Sequence, residues 1–117
     1  MIPGDGGAAP GAPAAALVVL VTAPSAEVAA GLARALVEAR LAACGSVLPG
    51  IHSIYRWEGR VEEAGEALLL LKTTRERFAA LREELLRRHP YAVPEILALP
   101  VEQGSAAYLA WLAEATG

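Results

Sequence analysis

Residues 66–73 read EALLLLKT, Glu66 to Thr73. Side chains of a strand alternate between its two faces. Leu68 and Leu70 therefore oppose Leu69 and Leu71, and both faces of this strand are apolar. The same holds upstream in LVVLVT, where Leu17, Val19 and Val21 oppose Val18 and Leu20. It holds again in EILALPV, where Ile96 and Ala98 oppose Leu97 and Leu99. An antiparallel sheet with one wet face shows polar alternation. These strands do not, so something must cover each side.

The segments between them predict what covers the first side. Ser25 caps a helix with Glu27 in its first turn, where the helix dipole favours negative charge. Val28, Leu32, Leu36 and Ala39 recur at helical spacing, and this helix should end near Ala43, before Gly45. SVLPGIHSIYRWE reads as a long strand whose ladder Pro49-Gly50 interrupts with a bulge or bend. Gly59 turns the chain into the Glu66–Thr73 strand. Thr73 and Glu76 form a capping-box pattern ahead of a second helix with the stripe Phe78, Leu81, Leu85, Leu86. Its Glu83 and Glu84 stand four residues before Arg87 and Arg88, a favourable surface pairing. After the fourth strand, Gly104-Ser105 opens a short helix with Tyr108, Leu109, Trp111 and Leu112.

The order β-α-β-β-α-β plus a terminal helix predicts an α+β, ferredoxin-like domain with an antiparallel sheet, over residues 16–117. Two helices cover one face of four strands, and the last helix is too short for the other. The exposed apolar face predicts an obligate oligomer with sheet-to-sheet contact, burying on the order of 2,000 Å² or more.

The remaining composition narrows the function. Residues 1–15, almost all Gly, Pro and Ala, predict a disordered tail. The formal charge of −3 offers no basic excess for nucleic acid. AAALVVLVTA is too short to span a bilayer, and no Lys or Arg precedes it as in a signal peptide. The one cysteine, Cys44, excludes an intrachain disulfide. The expectation is a cytoplasmic protein bound neither to nucleic acid nor to membrane. There is no phosphate loop, nucleophile elbow or paired-histidine metal motif, which argues against an enzyme.

RRHPYAVPE, Arg87 to Glu95, is the densest polar stretch. Pro90 stops helix at His89 and Pro94 holds Val93 extended, so it reads as a stiff connector. His89, its cationic form favoured by the helix C-terminus, bonds the last carbonyls or serves as ligand or proton donor. Tyr91 packs as a lid. Cys44 is a small buried hydrophobe or a soft-metal ligand. Tyr55 and Trp57 share one strand face with Ser53, as packing or as a ligand platform. Lys72 and Glu95 each need a partner at an apolar strand end, and can pair.

In this order, ALVEARLAAC, PGIHSIYRWEG, LLLLKTT, HPYAVPEI and YLAWL closely resemble the CutA divalent-cation-tolerance proteins. The resemblance covers Leu17 to the C-terminus. It implies a thermostable homotrimer with sheets packed around the axis, non-enzymatic, linked to tolerance of copper and other divalent metal ions. It implies Cys44 and His89 as metal ligands, with a third cysteine replaced here by Val21. Gly45-Ser46 stands where relatives often have Val-Asn, so the hydrogen bonds of that Asn are lost. Tyr55, Trp57, Lys72, Tyr91 and Glu95 match residues lining a cleft between subunits. A second reading follows from the similar architecture of the nitrogen-regulatory PII proteins. There a small-molecule ligand, an anion or metabolite, would sit in the cleft with Lys72.

Overall fold

The computed structural model describes residues 15–117. The expected disordered tail therefore lies outside the described residues, apart from Ala15, whose carbonyl accepts from the Arg75 N–H at 3.0 Å. The elements are β1 (Ala16–Ala23), α1 (Ala26–Glu38), β2 (Cys44–Trp57), β3 (Arg60–Thr74), α2 (Arg75–Arg88), β4 (Ile96–Pro100) and α3 (Ala106–Ala115). One four-stranded sheet runs in the order β2-β3-β1-β4, with every neighbouring pair antiparallel. This is the expected α+β, ferredoxin-like arrangement.

One face of the sheet carries the core. Val19, Val21, Leu69 and Leu71 are fully buried there, with Leu36 of α1 and Leu81 and Leu85 of α2. Each such side chain contributes roughly 1.5–3 kcal/mol of burial. Ser25 caps α1 as expected, its Oγ accepting from Val28 N–H at 3.1 Å. The buried side of α1 is Ala29, Leu32, Ala33 and Leu36, while the expected Ala39 is the C-cap past the helix end and is exposed. An added Cβ at Gly45 would stand 2.9 Å from the Ala33 Cβ.

Several expected boundaries move. The first helix stops at Glu38 rather than near Ala43, and Cys44 opens a strand. Arg40 takes the left-handed conformation at φ 61°. Its N–H donates to the Val37 carbonyl and that of Leu41 to the Leu36 carbonyl, closing the helix end as a Schellman motif. That conformation costs a non-glycine residue roughly 1–2 kcal/mol. It lets the Arg40 guanidinium donate to the carbonyls of Gly117 and Glu114 at 3.0 and 2.9 Å, capping α3.

β3 begins at Arg60, not Glu66. Glu58 and Gly59 both have positive φ, 49° and 79°, so a two-residue turn pairs Trp57 directly with Arg60. Residues 60–66 pair only with β2, and this hairpin arm draws the molecule out to 51 Å against 24 Å across. The capping box does not form. Thr74 is the N-cap of α2, and the buried Thr73 hydroxyl donates instead to the Leu41 carbonyl at 2.7 Å. Leu86 leaves the expected stripe and is 52% exposed, being one residue of helical rotation past Leu85. On the polar side Glu84, not Glu83, takes both Arg87 and Arg88.

The bulge falls where expected, with Gly50 at φ 73° and a register change between Leu48 and Ile51. Leu48 stands across from Leu68, while Ile51 stands across from Glu66. The bulge thus exchanges odd for even positions, and brings Ser53, Tyr55 and Trp57 onto the face of Cys44, Leu48, Leu68 and Lys72. That second face is covered only at one end, where α3 packs Leu112 against Ala16 and Ala43. Elsewhere it is open: Leu97 is 54% and Leu99 48% exposed.

Candidate functional site

At the uncovered end of the second face lies a cleft of about 510 Å³. Its floor is Thr22 of β1 and Glu66 of β3. One wall is Tyr55 and Trp57 of the arm, and the other is the connector after α2, with Tyr91 and Glu95. The connector is fixed by His89, which is buried despite its exposed surroundings. Tyr91 N–H donates to His89 Nδ1 at 3.1 Å, so the ring proton sits on Nε2, which donates to the Thr22 carbonyl at 2.7 Å. The Tyr91 ring leans on the imidazole at 4.8 Å, and its hydroxyl donates to Glu66 Oε2 at 2.5 Å. Burial first, and then the Glu66 carboxylate, push the Tyr91 phenol well above its ordinary value.

His89 therefore does not bond the last carbonyls of its helix. It is a strut across to β1. Both ring nitrogens are engaged, so it can ligate a metal only by giving up one of these bonds.

Cys44 is at the other end of the sheet. It pairs with Lys72, which pairs with Val18, four residues along β1 from Thr22 and roughly 13 Å away at the strand rise. The Cys44 sulfur meets the Tyr108 hydroxyl at 3.4 Å. That contact, followed by burial, raises the Tyr108 phenol to about 12. Within one chain the two expected metal ligands, Cys44 and His89, do not converge. Among the described residues no group of three or more His, Cys, Asp or Glu side chains could hold a metal ion. Val21, at the position of the missing third cysteine, is fully buried in the core.

Lys72 likewise stays out of the cleft. Its Nζ donates to Ser46 Oγ at 3.0 Å, so the serine of Gly45-Ser46 supplies a hydrogen bond of its own. No Lys72–Glu95 pair forms, because Glu95 enters the sheet at the Thr22 end. Of the five residues expected in a cleft between subunits, Tyr55, Trp57, Tyr91 and Glu95 come together within one chain and Lys72 does not. Glu66 is the member that sequence reasoning missed. It ends the polar half of β3, and only the register across the bulge aims it into the cleft.

This geometry can be set beside known proteins. Residues 17–115 match the profile of the family described as CutA1 divalent ion tolerance protein. The chain belongs to this family. The divalent-cation tolerance protein CutA of Thermus thermophilus is 57% identical over 100 residues, which span 86% of this chain and 97% of that protein. Mouse protein CutA is 47% identical over 104 residues, 89% of this chain but 59% of the mouse protein. The solved structure of the Thermus thermophilus divalent cation tolerance protein (Cut A1) superposes with a TM-score of 0.85. The match has 56% identity and covers 87% of this chain and 99% of that one. The CutA1 resemblance read from SIYRWEG and HPYAVPE is thus shown, and with it the fold.

Proposed function

We propose that the chain acts as a non-enzymatic homotrimer in divalent-cation tolerance, with its open sheet faces packed on one another. The observation that carries the assembly is the uncovered apolar surface of Val18, Leu20, Leu68 and Leu70, half-buried, with Leu97 and Leu99 exposed. A face this apolar is unstable in water unless shared. That the copies number three rests on the family resemblance. Light scattering at micromolar concentration is expected to give three times the chain mass of 12.1 kDa. A single-chain mass would remove the proposal.

Metal binding enters this reading through Cys44, a free thiol suited to copper or zinc. Its further ligands must come from a neighbouring copy, since His89 is far from it in its own chain. Titration with Cu(I), Cu(II) and Zn(II) is expected to weaken in Cys44→Ala. Unchanged affinity in both Cys44→Ala and His89→Ala sinks the ligand assignment. A cytoplasmic location belongs to the same proposal, supported by the one unpaired cysteine. The PII-like reading with an anion would need Lys72 from a neighbouring copy, because within one chain Lys72 is distant and the two charged residues lining the cleft are glutamates.

A further inference from the structure

The cleft beside the connector is set apart by the side chains that line it. Three aromatic residues line it, Tyr55, Trp57 and Tyr91, together with two carboxylates, Glu66 and Glu95. Among the described residues of the chain, no Lys or Arg lines it. The nearest cation on that strand face is Arg60, across from Trp57 at the hairpin tip. Among the described residues, neither Glu66 nor Glu95 has a cationic partner within salt-bridge distance. Glu66 spends one oxygen on the Tyr91 hydroxyl, and the other remains to accept. Within the single chain Trp57 is 50% and Tyr55 44% exposed, beside two carboxylates that have no cationic partner of their own chain.

Anions are repelled by that pair of carboxylates. A hard divalent ion needs six or more oxygen ligands and gains nothing from indole and phenol rings. A weakly hydrated organic cation gains from both features: ring faces attract it through their quadrupoles, and carboxylates neutralise it. The cleft volume of about 510 Å³ suits a small molecule. We propose that this cleft binds a small organic cation, an ammonium or guanidinium group held against Trp57 and Tyr55 and neutralised by Glu95 and Glu66. The lining residues belong to one chain, but the cleft opens on the sheet face that the proposed assembly shares, so cation binding rests on that assembly leaving the cleft accessible.

The test is calorimetry on the full chain, with Trp fluorescence read in parallel. The probes are tetramethylammonium, choline and putrescine chlorides, with sodium acetate and Zn(II) as separate arms. Saturable binding of at least one organic cation is expected, weakening as salt rises. Trp57→Leu and Glu95→Gln should each weaken it on the order of ten-fold. Light scattering of both variants shows whether assembly is intact, so loss of the site is told apart from loss of the oligomer. Glu95→Gln, on an exposed connector residue, carries the test if Trp57→Leu does not fold. The proposal is overturned if none of the three probes saturates, if both variants bind like the parent, or if Zn(II) alone occupies the cleft.

Discussion

The two faces of one sheet are built from nearly the same residues and have opposite fates. Val19, Val21, Leu69 and Leu71 are fully buried under α1 and α2. Their sequence neighbours Val18, Leu20, Leu68 and Leu70 look out on the other side, and Leu97 and Leu99 stand half in water. Helices of 13 and 14 residues can shelter one face of four strands, and the ten residues of α3 reach only the Cys44 end of the other. On the proposed assembly, the stability of the chain and its association are carried by different atoms of the same strands. They should therefore respond separately to mutation.

The largest expected effect breaks association alone. Leu97→Glu with Leu99→Glu places two charges where apolar surfaces should meet, and unpaired buried charges are not tolerated. The mass by light scattering should fall to a single chain while far-UV dichroism keeps its helical signal. A variant that remains fully assembled would show that the open face is not the contact. The covered face should behave in the other way. Leu71→Ala is expected to lose about 2–5 kcal/mol in denaturant titration, because the cavity cannot collapse under two helices.

A finer comparison uses two glycines on the first face. Gly45→Ala forces a methyl against the Ala33 Cβ and should cost about 1–3 kcal/mol. Gly65 lies on the hairpin arm, where nothing stands within 4 Å of an added Cβ. Gly65→Ala should change stability by no more than about 0.5 kcal/mol. Equal losses at the two sites would mean that the arm is as tightly covered as the core.

The smallest effect is expected at the end covered by α3. The Tyr108 phenol, raised from 10.0 to about 12, keeps its proton in the folded state after the unfolded chain has lost it. The stability it contributes is complete below the unfolded value and is lost as pH rises through the folded one. Tyr108→Phe should therefore show a shallower fall in melting temperature between pH 10 and 12 than the parent. Parallel curves would remove the Cys44–Tyr108 contact as the cause. Tyr91 adds an alkaline loss of the same sign in both proteins, so the difference isolates Tyr108.

Local chemistry was readable where a residue type can do only one thing. Ser25 capped its helix, Pro49-Gly50 bulged and Gly59 turned, because each follows from backbone geometry within a few residues. Reading failed where a distant partner decided. Arg40 adopts a glycine-like conformation because carbonyls 74 and 77 residues away reward it. Thr73 forgoes the cap because a carbonyl 32 residues back lies within its reach. His89 is held in the interior because Thr22 and Tyr91 take both of its nitrogens. The polar start of β3 hid a strand, since an arm paired on one side alone needs no apolar alternation.

The sequence by itself determined the element order, the double apolar faces and most of the cleft residues. These depend on periodicity and on the conformations each residue allows. Only the tertiary structure decided that Cys44 and His89 of one chain stand at opposite ends of its sheet, and that Glu66 rather than Lys72 lines the cleft within that chain. Strand register is a property of pairs of segments. A one-residue bulge at Gly50 moves every later side chain of β2 to the other face, and no local signal reports which partner it will meet.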